Sequence, residues 1–158
     1  MTRSAYLRIE LHSDSFDPYS LLAHWQQELI NQQDAPSAAE SLFIGRVRAR
    51  SAGGAALTGL ELEHYPGMTE RKLRELAISC CERHDALSCL IAHRIGTVSP
   101  GEAIVLVSIG ADRRGPAQRC CQELLEALKH EVPFWKREWR ADGSSAWLTG
   151  NTPFCTDP

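Results

Sequence analysis

Seven segments of the chain have the apolar pattern of β-strands, either alternating with polar residues or continuously apolar. They are residues 5–11, 42–48, 57–64, 87–95, 103–109, 134–140 and 146–148. The dipeptide Asp142-Gly143, typical of tight hairpin turns, separates the last two segments. A Gly-rich loop separates 42–48 from 57–64, and we expect these two strands to pair with each other.

Three further segments place apolar residues at the i, i+3, i+4 spacing of an amphipathic helix. They cover about residues 17–30, 69–84 and 116–130. Thr69 is the expected N-cap of the second helix, and Pro116 suits the first turn of the third. Because strands and helices do not alternate strictly, the predicted fold class is α+β, with antiparallel strands and two to three helices. We expect a single domain over residues 1–150 and a flexible C-terminal tail over 151–158.

The composition excludes several classes of protein. The 158 residues are 43% hydrophobic and 23% charged, as in an ordinary globular domain. A net charge of −3 argues against a general nucleic-acid binder and against a polybasic membrane protein. No segment approaches the roughly 18–20 apolar residues of a membrane-spanning helix. Arg8 lies where a signal peptide needs an apolar core. We therefore expect a cytoplasmic protein that binds neither nucleic acid nor membrane.

Six cysteines, at positions 80, 81, 89, 120, 121 and 155, lack the Cys-x-x-Cys spacing of a zinc site. Cys80 and Cys121 instead continue the apolar faces of the second and third predicted helices. Cysteine packs as a small hydrophobic residue in such positions. We therefore expect the cysteines to pack in the core, and we expect no metal and no cofactor.

Two clusters of arginines suggest anion binding. Arg46, Arg48 and Arg50 lie at strand spacing in a segment without acidic residues, although a solvated strand face would have the same pattern. Arg113 and Arg114 lie between a predicted strand and a predicted helix, where backbone N–H groups and the helix dipole attract phosphate or carboxylate groups. A plain polar loop explains that second pair about as well.

A third basic group contains two of the three lysines of the chain, which has 17 basic residues. Lys129 ends a predicted helix, and Lys136 follows Phe134 and Trp135 on a predicted strand, with Arg137 and Glu138 after it. An aromatic setting lowers the pKa of an amine by limiting its hydration. The alternatives are a lysine that interacts with the helix dipole and an ordinary exposed strand lysine.

Three longer strings of residues occur together in the chain. They are Leu-Glu-His-Tyr-Pro-Gly-Met-Thr at 62–69, His-Arg-Ile-Gly-x-x-x-Pro-Gly-Glu at 93–102, and Pro-Phe-Trp-Lys-Arg-Glu at 133–138. In this order they resemble the family of molybdopterin synthase large, catalytic subunits. The resemblance covers about residues 42–147 and implies an α/β-hammerhead type of α+β fold.

The resemblance also implies a function and partners. Large subunits of this family form a central homodimer within a heterotetramer. Each binds a small ubiquitin-like sulfur-carrier subunit, whose C-terminal Gly-Gly is a thiocarboxylate. Sulfur passes from this tail to cyclic pyranopterin monophosphate, twice, and forms the dithiolene of molybdopterin without a metal at this step. We therefore expect a sulfurtransferase.

The family's site residues fall on the clusters described above. The substrate-contacting segment matches Arg46-Val47-Arg48, and the anion-binding pair matches Arg113-Arg114. The two site lysines match Lys129 and Lys136, the latter followed by Arg137 and Glu138. By this resemblance Lys129 and Lys136 are the expected catalytic residues, and all nine positions are expected to bind substrate.

The chain departs from the family at two places. Arg113 stands where the family usually has His, and a guanidinium cannot carry protons as an imidazole does. No basic residue follows Trp147, whereas family members often have one there. A catalytically impaired relative that only binds the small subunit's tail is therefore the alternative function. An RNA-binding domain is a weaker alternative, because the net charge is negative.

Overall fold

The computed structural model describes residues 4–33 and 36–150, in which eight strands and three helices follow one another. In chain order these elements are β1 (Tyr6–His12), α1 (Pro18–Gln33), β2 (Ala39–Arg46), β3 (Leu57–His64), α2 (Met68–His84), β4 (Ser88–Arg94), β5 (Gly96–Val98), β6 (Ala103–Ala111), α3 (Arg114–Glu131), β7 (Phe134–Arg140) and β8 (Ser145–Trp147). The predicted α+β class is confirmed. The predicted tail over 151–158 lies outside the described residues.

The first sheet has the strand order β1-β4-β6-β2 and is covered by helices on both faces. Alternate residues of β4 point to opposite faces. Cys89 and Ile91 therefore pack with residues of α2 and α3, whereas Leu90 and Ala92 pack with Trp25 of α1. Burial on both faces explains why β4 is apolar without the usual alternation of polar residues.

The second sheet has the order β5-β3-β7-β8, and all its strand pairs are antiparallel. A smaller apolar cluster holds it to the rest of the molecule. Leu60 and Leu62 of β3 pack there with Val98 of β5 and with Val47, which follows β2. The predicted hairpin around Asp142-Gly143 is confirmed, because β7 pairs with β8 across this turn.

One prediction about strand pairing is wrong. β2 does not pair with β3. It pairs with β6 in the first sheet, and residues 47–56 carry the chain to the second sheet with an isolated bridge between Arg50 and Ala56. The strand pairs of both sheets are mainly antiparallel, as predicted, and β1 and β4 form a parallel pair. Local apolar patterns do not contain this information, because pairing depends on which buried faces meet in three dimensions.

The helix boundaries differ from the prediction by up to three residues, the largest difference being the end of α1 at Gln33 rather than at about residue 30. α2 begins at Met68, one residue before the predicted start. Gly67 at φ 83° is its cap, and the Gly67 N–H donates to Glu70 Oε2 at 2.6 Å. Thr69 is buried inside the first turn, so it is not the N-cap. α3 begins at Arg114, which leaves Pro116 in its first turn, as expected.

The five described cysteines are free thiols, and all are buried. Cys80, Cys81, Cys89, Cys120 and Cys121 belong to the core formed by α2, α3 and the first sheet. The expectation that cysteines pack in the core is therefore confirmed for these positions, and Cys155 lies outside the described residues. No helix in the described ranges is long and apolar enough to cross a membrane.

Candidate active site

A cavity of about 270 Å³ lies between the two sheets, beside the C-terminal end of α3. Each neighbouring element contributes to its wall. Gly45 and Arg46 come from the end of β2, Leu60 from β3, Val105 from β6, and Leu128 from α3. The cavity lies where the chain leaves the first sheet after β2 and crosses to β3 of the second sheet.

Four cations from three parts of the chain line this cavity. Arg46 ends β2 after a β-bulge, and Arg48 follows in the connection to β3. Lys129 lies in the last turn of α3, and Lys136 lies on β7. Arg46 Nη1 also donates to the Gly101 carbonyl oxygen at 3.2 Å, which ties the segment to the turn before β6. The cavity is therefore suited to an anionic ligand.

Burial changes the acid–base behaviour of Lys136. Its pKa is lowered from the ordinary lysine value, first by desolvation and then by the positive charge of Lys129. Both effects penalise the ammonium form. This agrees with the expectation that its surroundings lower the pKa of an amine at this position.

The other half of the cavity wall is apolar or uncharged. Phe43, Leu125 and Val132 line it, together with His93 and Phe134, whose rings are stacked at 4.1 Å and 11°. His93 was not among the site residues expected from the sequence. The sequence signal for this residue is a histidine at the end of an otherwise uncharged, mainly apolar strand segment, directly before Arg94.

β7 divides its side chains between two faces, as alternation along a strand requires. Lys136 and Glu138 line the cavity. Arg137 does not. Its guanidinium lies 4.4 Å from the Trp139 ring centroid and 5.4 Å from that of Trp147, and its Nε donates to Ser145 Oγ at 3.0 Å. Within one chain, the geometry therefore assigns Arg137 to the β7–β8 hairpin rather than to the cavity.

The structure also places Val47 and Arg50 differently from what the spacing of residues 46–50 suggested. Val47 lines the cavity wall, but it is buried as part of the apolar cluster of the second sheet. Arg50 is not among the lining residues, and its Nη1 donates to the Gly54 carbonyl oxygen at 2.9 Å. β2 ends at Arg46, directly after the bulge, so Arg46, Arg48 and Arg50 do not share one strand face.

Arg113 and Arg114 line a different depression, of about 520 Å³, at the N-terminal end of α3. Arg119 and His84 line it as well. Arg114 and Lys129 are 15 positions apart on one helix, which separates their Cα atoms by about 22 Å at 1.5 Å per residue. One chain alone therefore does not bring the Arg113–Arg114 pair to the cavity of the lysines.

Comparisons with known proteins assign this chain to a family. The family model described as MoaE protein matches residues 14–131. The molybdopterin synthase catalytic subunit of Ralstonia nicotianae is 41% identical over 102 residues, which are 65% of this chain and 57% of that protein. The one from Pseudomonas aeruginosa is 36% identical over 153 residues, which are 96% of this chain and 94% of that protein.

Solved structures agree with this placement. The MoaE protein of Burkholderia ambifaria is similar with a TM-score of 0.71 and 34% identity, over 95% of this chain and 93% of that chain. A complex of subunits 1 and 2 of the molybdopterin-converting factor from Helicobacter pylori contains a chain with the same fold. Its TM-score is 0.73 at 19% identity, over 89% of this chain and 90% of that chain. The chain therefore belongs to the MoaE family, the catalytic subunits of molybdopterin synthase, an enzyme of molybdenum cofactor biosynthesis.

Proposed function

We propose that this chain transfers sulfur from the thiocarboxylated C-terminal Gly-Gly of a small ubiquitin-like subunit to cyclic pyranopterin monophosphate. The product is the dithiolene of molybdopterin. The observation that carries the proposal is the cavity, in which Arg46, Arg48, Lys129 and Lys136 meet one apolar wall. A phosphorylated heterocycle and a thiocarboxylate are both anions, and the cations attract both.

The two lysines take different roles in this reaction. Water attacks the carbonyl carbon of the tail after its sulfur has bonded to the pterin, the C–S bond to the tail breaks, and the tail is left as a carboxylate. Lys129 stabilises the negative charge that develops on the carbonyl oxygen in this step. Lys136 has a lowered pKa, so it exchanges protons more readily near neutral pH than an ordinary lysine does. Arg48 holds the cyclic phosphate by charge-assisted hydrogen bonds. Glu138 lines the cavity on the same face of β7 as Lys136, so it adds one negative charge to the wall that holds the lysines.

The proposed partner is the small subunit. The H. pylori complex supports this partner, because a chain with the same fold is bound there to a second subunit of the molybdopterin-converting factor. A Gly-Gly tail has no side chains beyond hydrogen, so it enters a narrow space without steric conflict. The thiocarboxylate at its end then meets the lysines.

The site also needs a second copy of this chain. Arg113 and Arg114 lie about 22 Å along α3 from Lys129, so they reach the same substrate only from another protomer. A homodimer that places the Arg113–Arg114 depression of one copy against the cavity of the other meets this requirement. The full assembly is then a heterotetramer of two large and two small subunits.

The alternative is a binding module that grips the small subunit's tail without turnover. Arg113 favours it, because the family usually has a titratable His at this position. Reconstitution distinguishes the two functions. The purified chain is mixed with thiocarboxylated small subunit and cyclic pyranopterin monophosphate, and molybdopterin is measured. Formation of molybdopterin supports the proposed reaction, whereas tail binding without product supports the binding module.

A further inference from the structure

His93 is a buried polar residue in the cavity wall that the proposed reaction does not yet use. It lies on β4 and is 7% exposed. Its imidazole lines the cavity between the apolar residues and Lys136. A polar ring at such a position is costly unless its nitrogen atoms find hydrogen-bond partners.

One ring nitrogen has a partner, and this determines the tautomer. His93 Nδ1 lies 2.7 Å from the carbonyl oxygen of Arg94. A carbonyl oxygen only accepts, so Nδ1 carries the proton and donates. Nε2 of the neutral ring is then an acceptor with a free lone pair. The parallel stack on Phe134, at 4.1 Å, fixes the plane of the ring.

The second ring nitrogen has no such partner in the described part of the chain. The bond from Nδ1 is the single hydrogen bond of His93 there. Nε2 is therefore an acceptor in the wall of a cavity, on a residue that is itself buried. Such a group is expected to be satisfied by whatever occupies the space.

The charge of the ring agrees with an acceptor role. Burial lowers the pKa of His93 to about 4, and the charges of Lys136 and His64 act in the same direction. The ring is thus neutral near pH 7. The four cations of the cavity only donate hydrogen bonds. His93 and Glu138 are therefore the side chains of the wall that can accept from a ligand's N–H groups.

We propose that His93 Nε2 accepts a hydrogen bond from a ring N–H or amino group of the heterocycle in the cavity. His93 thereby recognises the nitrogen-bearing end of the ligand, while the cations hold its phosphate. This inference rests on the proposed function, because it takes a reduced pterin as the occupant.

Two substitutions at position 93 test the contributions of the two ring nitrogens separately. His93→Asn keeps an N–H donor near the position of Nδ1 but has no acceptor near Nε2. His93→Gln places an amide oxygen near the position of Nε2. The dissociation constant for cyclic pyranopterin monophosphate is measured by calorimetry with wild type and both variants, and inorganic phosphate serves as the control ligand.

We expect His93→Asn to weaken pterin binding about tenfold, the effect of one lost hydrogen bond. His93→Gln is expected to stay within about threefold of wild type, and phosphate binding should not change in either variant. Wild-type affinity in His93→Asn overturns the inference. So does an equal loss of pterin and phosphate binding in both variants. If the wild-type chain does not bind the pterin, the proposed function fails as well.

A measurement on the unsubstituted protein covers the case in which a variant does not fold. Nitrogen NMR of the His93 ring distinguishes a protonated Nδ1 from an unprotonated Nε2. Addition of the pterin is expected to shift the Nε2 signal in the direction of hydrogen bonding and to leave the Nδ1 signal nearly unchanged. An Nε2 signal that does not move with saturating pterin contradicts the inference.

Discussion

The two ends of α3 carry similar charges in different surroundings. At the N-terminal end, Arg113 and Arg114 are exposed at a shallow depression. At the C-terminal end, Lys129 is partly buried and lines a cavity that also contains Lys136, whose pKa is lowered. The first end is suited to holding an anion as a fixed charge, and the second end is suited to chemistry. In the proposed reaction, anion binding and proton transfer therefore belong to opposite ends of this helix.

The largest expected effect is at the lysine end. Lys129→Ala removes the charge that the proposed reaction uses at the tail's carbonyl group, and we expect turnover to fall at least about 100-fold. Lys72→Ala is the matched control, because Lys72 lies at the surface, 3.7 Å from Glu131, outside the cavity. Molybdopterin formation is measured with saturating small subunit. Normal turnover by the Lys129 variant would remove the proposed role of this residue.

A smaller effect is expected for the arginines that follow β2. Arg48→Ala should weaken binding of the pyranopterin phosphate about tenfold or more, because a charge-assisted hydrogen bond is lost. Arg50→Ala should leave binding unchanged, because Arg50 bonds to Gly54 and does not line the cavity. Calorimetry with both variants checks this pair, and equal losses would mean that general charge, rather than position, attracts the substrate.

The two faces of β7 give the next prediction. Arg137 lies between two tryptophan rings, so Arg137→Ala should lower the free energy of unfolding by about 1 kcal/mol. Substrate affinity should stay at the wild-type value. Urea denaturation and calorimetry measure the two quantities. A large loss of affinity with unchanged stability would return Arg137 to the substrate site.

The smallest effect concerns the pH dependence of stability. Folding lowers the pKa of Lys136. Where Lys136 is protonated in both the folded and the unfolded state, its positive charge therefore lowers the free energy of unfolding. This penalty is fully present below the folded pKa and disappears as pH rises to the unfolded value of about 10.4. Relative to Lys136→Met, the wild type should therefore become more stable with rising alkaline pH. A difference that stays constant up to that pH in urea titrations would contradict the shift.

Much of the fold follows from local patterns, and the rest depends on contacts that are distant in sequence. The alternation over residues 57–64 and the helix face of α3 were sufficient to predict both elements. The partner of β2 was not predictable in this way, because its burial is decided by β6, which begins more than fifty residues later in the chain.

The cavity residues likewise fall into those that the sequence pattern indicates and those that depend on the three-dimensional fold. The charge pattern identified Lys129 and Lys136, because lysine is rare in this chain. It did not reveal that Arg137 faces away from Lys136, since the face depends on how β7 pairs with β3. His93 was missed because a single histidine in an apolar strand has the same appearance in a sequence whether or not a cavity lies beside it.

Mixed dimers test the central claim, that the two ends of α3 from different copies form one site. A Lys129→Ala chain and an Arg114→Ala chain, carrying different tags, are coexpressed and the mixed dimer is purified. One of its two sites then has both residues intact, and the other has neither. The account predicts that this dimer forms molybdopterin at about half the wild-type rate, while each homodimeric variant is strongly impaired. A mixed dimer no more active than the variants would contradict it.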